Sequence, residues 1–141
     1  MSKIDPIRVR LDAYPIRQEI TTRVSDNDGY GHLNGIRIGH YYEEGRASFY
    51  RTIGDLAKHP RVLVAELTIR YLAEGFWPGQ VEVATRIVRI GSSSFVMGQA
   101  LWQNGVCIGL CDTVLVHSSN GQSSPLPAHF RNQLERNLLK A

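Results

Sequence analysis

Cysteine is scarce in this chain: its 141 residues hold two, Cys107 and Cys111. They stand four apart in a segment that alternates like a strand, so their backbones lie about 13 Å apart at the strand rise and cannot bridge each other. Unbridged thiols of this kind point to a reducing cytoplasm. Long apolar runs are missing as well. Met1 to Asp12 mixes charges with single apolar residues, which argues against a signal peptide, and no stretch approaches the length of a membrane span. Charge of one sign is not in excess, since 16 Lys and Arg face 13 Asp and Glu for a net charge of +3, and the arginines are scattered. This balance argues against nucleic acid as a partner but leaves room for a local basic patch on a phosphorylated ligand. With 141 residues the chain has room for one domain, 1–141, and none for a second. That length builds a core without metal or disulfide staples.

What the chain does contain is periodicity. Ile16, Ile20, Thr22 and Val24 share one parity against Arg17, Glu19, Thr21 and Arg23, the mark of a half-buried strand. Beyond a polar, glycine-rich segment, Ile38, Tyr41, Tyr42, Gly45, Phe49, Thr52 and Ile53 recur at spacings of three and four. With Asn34 as N-cap and Gly54 as stop, they predict a helix of about five turns. From Arg61 onward four strands follow. Leu63, Ala65, Leu67, Ile69 and Tyr71 form the apolar parity of the first, and Val81, Val83, Thr85 and Ile87 that of the second. The third runs from Ser94 to Gln103 with Phe95, Met97 and Leu101, and the fourth carries Val106, Ile108, Leu110, Val114 and Val116. Asn104 and Gly105 between them are a two-residue hairpin turn, which needs positive φ at both positions. Ser118 to Pro125 reads as a loop, and Pro127 opens a short closing helix over 128–139. Short connections make the strands antiparallel neighbours. The apolar helix needs a cover, so the predicted class is α+β, a curved antiparallel sheet of about five strands around one long helix.

Chemistry concentrates in Val24-Ser25-Asp26-Asn27-Asp28-Gly29-Tyr30-Gly31-His32-Leu33-Asn34-Gly35, between the first strand and the helix. A calcium loop fails here, because Tyr30 and Arg37 stand where the fifth and twelfth ligands belong. A dinucleotide fingerprint fails too, with Asn34 in place of the third glycine and no βαβ unit around it. Two readings remain open on local grounds. In one the segment is a turn, with Asp26 and Asn27 folding the backbone and Asn34 capping the helix. In the other it is a catalytic loop. A carboxylate beside a helix start has unpaired amides and a partial positive charge next to it, where the oxyanion of acyl transfer would develop. The carboxylate attacks a carbonyl or activates water, and Gly35 leaves its own amide unobstructed.

These residues carry a resemblance. S-D-N-D-G-Y-G-H-L-N-G, followed by a helix containing Tyr41-Tyr42-Glu43-Glu44-Gly45-Arg46, resembles the hotdog-fold acyl-CoA thioesterases of the 4-hydroxybenzoyl-CoA thioesterase type. Their pattern is D-T-D-x-x-G-H-x-N-N and then an aromatic-rich E-x-A-R helix. The likeness covers about residues 16 to 130 and agrees in element order. It implies a sheet wrapped around a central helix, a homodimer or dimer of dimers, and active sites at the dimer interface. It also implies that Asp28 is the catalytic carboxylate and that the Gly35 amide polarises the thioester carbonyl. Asn34 would position substrate or cap the helix, and His32 would support the loop. Departures are Asn27 for Thr, Gly29 after the catalytic Asp, Gly35 for the second Asn and Gly45 for Ala.

Further expectations complete the reading. Arg89 with Ser92, Ser93 and Ser94 suits the pantetheine and phosphates of coenzyme A, since an Arg fork with hydroxyls fits phosphate oxygens; the alternative is a polar turn. Of Glu43 and Glu44, one is expected to pair with Arg46 and the other to be partly buried. His40 and Glu44 lack a third ligand, so no metal is expected. Trp77, Trp102 and Phe76 are read as packing residues. The expected activity is hydrolysis of an acyl-CoA to free acid and coenzyme A, with coenzyme A only as part of substrate and product and no separate cofactor. A non-catalytic acyl-CoA binder and a thioesterase acting on acyl carrier protein are the alternatives.

Overall fold

The computed structural model describes residues 3–54 and 60–138. Two short 3-10 turns, Pro6–Val9 and Leu11–Ala13, lead into β1 (Ile16–Thr21), α1 (Gly35–Ile53), β2 (Val62–Tyr71), β3 (Gln80–Ile90), β4 (Ser94–Gln103), β5 (Val106–Ser119), β6 (Gln122–Ser123) and α2 (Ala128–Glu135). The strands form one antiparallel sheet in the order β1-β3-β4-β5-β2, with β6 folded back onto β5. The sheet wraps around α1, which is the predicted hotdog architecture.

The spacing of apolar residues on α1 explains its placement. Tyr42 packs with Val83 and Leu101 in one core cluster, and Phe49 packs with Ile87, Phe95 and Met97 in the next. α1 lies over β1, β3 and β4, and β2 is left at the rim of the sheet. The opposite, convex face is covered by the N-terminal segment. Tyr14 is buried there with Trp102 and Leu110, its ring 4.5 Å from the Arg86 guanidinium, and Arg8 Nη2 meets Asp112 Oδ1 at 2.6 Å.

Several sequence expectations need correcting. β1 ends at Thr21; Thr22 still keeps the inward parity, buried and bonded to the Gly79 carbonyl at 2.9 Å, but Val24 lies in the 3-10 turn Val24–Asp26 and leaves it. In β2 the register shifts between Val64 and Glu66, so Val64 opposite Leu115 shares a face with Leu67, Ile69 and Tyr71 opposite Thr113, Cys111 and Gly109. Leu63 and Ala65 therefore leave the apolar set, because one extra residue flips every side chain beyond it. A second shift beside Trp102 splits the expected β5 parity: Ile108 joins the cluster beneath α1, and Leu110 joins the convex one. The span read as a loop contains a second tight turn, Asn120 and Gly121 at φ 52° and 78°, that builds β6. Both Glu43 and Glu44 are exposed, and Arg46 turns inward to Gln99 Oε1 and Thr113 Oγ1 at 3.3 Å each. The closing helix, expected over 128–139, ends at Glu135: Arg136 and Asn137 form a turn, and Leu138 makes a bridge to Ile87.

Candidate active site

The loop from β1 to α1 is held by its own polar side chains, and the three acidic and amide groups divide the work. Asp26 is buried and acts as a strut: its Oδ2 accepts the Arg23 backbone N–H at 3.0 Å and the Tyr41 hydroxyl at 2.5 Å, and its carbonyl accepts the Asn34 N–H at 2.8 Å. Asn27 Oδ1 accepts the amides of Gly29 and Gly31 at 3.0 and 2.9 Å. The turn is therefore centred on Asn27, and Asp26 takes no part in it. Gly29 and Gly31 sit at φ +97° and +84°, where a side chain would be strained.

Asp28 follows at the surface of the loop. Its Oδ1 accepts the amides of Tyr30 and His32 at 2.8 and 3.2 Å, which fixes the carboxylate and leaves Oδ2 for chemistry. Oδ2 lies 3.9 Å from His32 Nδ1, and the other ring nitrogen of His32 lies 3.2 Å from Glu74 Oε2. The imidazole is thus held between two carboxylates, with Phe76 edge-on at 5.3 Å. Phe76 and Glu74 belong to the connection between β2 and β3, which is stitched to the loop by Leu33 N–H to the Gly75 carbonyl and Trp77 N–H to the Gly31 carbonyl, 2.9 and 3.0 Å. Gln103 secures that connection by bonding both the N–H and the carbonyl of Phe76, at 2.7 and 2.8 Å.

At the helix start Asn34 is the N-cap, as expected. Its Oδ1 accepts the amides of Ile36 and Arg37 at 2.9 and 3.4 Å, and its carbonyl takes the Ile38 N–H. Gly35 N–H has no hydrogen-bond partner among the described residues. One donor, on the positive end of a 19-residue helix, is left for an incoming anionic oxygen. Beside it, the Tyr71 hydroxyl at the end of β2 donates to the Gly35 carbonyl at 2.8 Å.

The structure thus brings Asp28, His32, Asn34 and Gly35 to one junction. Arg89, Ser92, Ser93 and Ser94 are elsewhere. Ser94 lies opposite Val116, at the end of the sheet where β2 begins, and Tyr71 with Gly35 is at the end where β2 finishes. Ten residues of strand separate the two ends, about 30 Å. Arg131 holds the Gly91 and Ser92 carbonyls at 2.7 and 3.2 Å, fixing that far loop. Glu74 and Tyr71 were not identified from sequence. No local spacing ties either to Asp28; only the strand pairing of β2 brings them there. Among the described residues no cluster of three His, Cys, Asp or Glu side chains is placed to hold a metal ion.

β2 leaves one backbone edge unpaired, and on it Leu63, Val64, Leu67 and Tyr71 are 46–57% exposed. No described helix is long and apolar enough to cross a membrane.

Residues 22–134 match the thioesterase-like superfamily. Among solved structures, a thioesterase from Thermus thermophilus, complexed with coenzyme A and Zn, shares 27% identity and a TM-score of 0.81, covering 89% of this chain and 95% of its own. A predicted thioesterase from Bacillus stearothermophilus shares 25% identity with a TM-score of 0.79, covering 89% and 98%. A 1,4-dihydroxy-2-naphthoyl-CoA thioesterase from Synechocystis, at 15% identity, TM-score 0.74 and coverage of 84% and 94%, is alike in fold. No curated protein matches.

Proposed function

The chain belongs to the thioesterase-like superfamily, and from that premise we propose that it hydrolyses an acyl-CoA thioester to the free acid and coenzyme A, with Asp28 as the catalytic carboxylate and the Gly35 amide as the oxyanion donor. The observation that carries this reading is the pairing, at one loop and helix start, of an anchored carboxylate with a backbone donor that has no partner among the described residues. The thioester carbonyl oxygen lodges on Gly35 N–H. Water attacks the carbonyl carbon as Asp28 Oδ2 takes its proton, the tetrahedral oxyanion is held by the amide and the helix dipole, and collapse expels the coenzyme A thiolate, which is then protonated. Direct attack by Oδ2 to give a mixed anhydride uses the same geometry. In that route Oδ2 displaces the coenzyme A thiolate and water then cleaves the anhydride; label from isotopically labelled water found in Asp28 after a single turnover, from attack at the aspartyl carbonyl, would establish it. Coenzyme A enters only as part of substrate and product.

The working unit in this reading is a homodimer. An unpaired edge strand with four exposed large apolar residues needs a cover, and a second β2 supplies one. Antiparallel pairing of two such edges brings the partner's Ser92 to Ser94 end toward this chain's Asp28 end. That arrangement supports Arg89, Ser92, Ser93 and Ser94 as contacts for coenzyme A across the interface.

The test is Asp28→Asn assayed on short, medium, long and aromatic acyl-CoAs. Asparagine keeps an oxygen for the Tyr30 and His32 amides, so the loop holds while the base is lost. Turnover is expected to fall by at least about a thousandfold with an unchanged melting profile; hydrolysis near the native rate would end the assignment.

A further inference from the structure

We propose that Tyr71 is a positioning residue of this site: its ring packs against Gly35 and its hydroxyl fixes the first turn of α1, so that Gly35 N–H points at the thioester oxygen. The proposal rests on the thioesterase reading and deepens it. A Cβ built on Gly35 would stand 3.4 Å from Tyr71 Cζ and Oη and 3.5 Å from Cε1, so the aromatic ring lies directly against the residue that carries the unpartnered donor. The hydroxyl donates to the Gly35 carbonyl at 2.8 Å. The Gly35 carbonyl and the following amide plane are therefore tied to β2 rather than left to the fraying that helix ends show. Being the last residue of β2, Tyr71 also connects the rim of the sheet to the chemistry.

The hydroxyl and the ring can be removed separately, and that makes the claim separable from mere folding. The measurement is the kinetics of Tyr71→Phe and Tyr71→Ala, with melting curves for each and Asp28→Asn on the same substrates. Tyr71→Phe keeps the ring and is expected to lower kcat about fivefold with KM held, the loss of one hydrogen bond. Tyr71→Ala is expected to lower kcat about a hundredfold, as misaligned catalytic groups do, with KM changed little. Native kcat and KM for Tyr71→Ala, or a loss that follows the melting temperature in both variants, would overturn the role of Tyr71 while an inactive Asp28→Asn left the thioesterase reading intact. A wild type silent on every thioester would overturn both.

Discussion

One substitution made at two places on α1 should give opposite results. Replacing a glycine in a helix interior with alanine gains about 1 kcal/mol of helix propensity. At Gly39 the new methyl meets only Ile69 Cδ1, at 3.8 Å, an ordinary contact, so the gain stands. At Gly45 it would stand 2.6 Å from Gln99 Nε2, 2.8 Å from Val83 Cγ2 and 3.2 Å from Thr85 Oγ1. Gln99 is fully buried and cannot simply swing away. Its Nε2 donates to the Tyr42 carbonyl at 2.9 Å and to Thr85 Oγ1 at 3.0 Å, and its Oε1 accepts Arg46 Nη1 at 3.3 Å. Overpacking of this kind costs about 2 kcal/mol, and orphaning a buried amide donor costs about 2 kcal/mol more. Set against the propensity gain, Gly45→Ala loses about 3 kcal/mol, a fall in melting temperature of about 10 °C, while Gly39→Ala rises by about 3 °C. Urea denaturation at one fixed protomer concentration measures both, since assembly would otherwise shift the midpoints. If Gly45→Ala raised the midpoint as Gly39→Ala does, the close approach of helix and sheet described here would be wrong.

Two further outcomes follow from burial. Tyr42, Tyr50 and Tyr14 are held above the usual phenol range by burial, and Tyr41 by burial together with its bond to Asp26. Unfolded tyrosines ionise near pH 10, where these folded ones keep their protons, so the native state binds more protons there and stability falls as pH rises above about 10. Unfolding midpoints should drop as pH rises past about 10, with tyrosinate absorbance appearing on unfolding; midpoints that hold to about pH 12 would contradict this. Separately, Leu67→Lys on the exposed rim of β2 is expected to yield a lower-mass species in sedimentation and to lose hydrolysis in parallel. Native mass and native kcat in that variant would remove β2 from the interface.

Much of this architecture was legible because its signals are local. Asn34 and Gly54 bracket α1 as N-cap and stop, and Asn104 with Gly105, at φ 50° and 79°, makes the turn their chemistry requires. Bulges were not legible. Nothing in Val64-Ala65-Glu66 announces an extra residue, because alternation is counted along one strand whereas a bulge is a mismatch between two. Asn120-Gly121 carried the same turn signal as Asn104-Gly105 but lacked a following apolar run, since β6 is only two residues long. In the site, Asp28, His32, Asn34 and Gly35 were legible as one short stretch, and the departure at Gly45 has its reason in Gln99 and Val83. Glu74 and Tyr71 reach the site through pairing across the sheet, and a side chain delivered by tertiary contact leaves no mark in sequence spacing. Likewise the division of labour between Asp26 and Asp28 depends on which carboxylate meets the Tyr41 hydroxyl.

Residues 3–14 have a bearing on how far copies of this chain would build. They lie across the outer curve of the sheet, latched by Arg8 on Asp112 and by Tyr14 over Arg86. Two such sheets cannot be laid back to back without prising those latches open, which would strip cover from a guanidinium and from Trp102 and Leu110 at once. Growth beyond the proposed pair would therefore be steered to the helical side or the loop ends. In that pair the segment would act as a built-in spacer, and its removal is expected to change the mass seen in sedimentation.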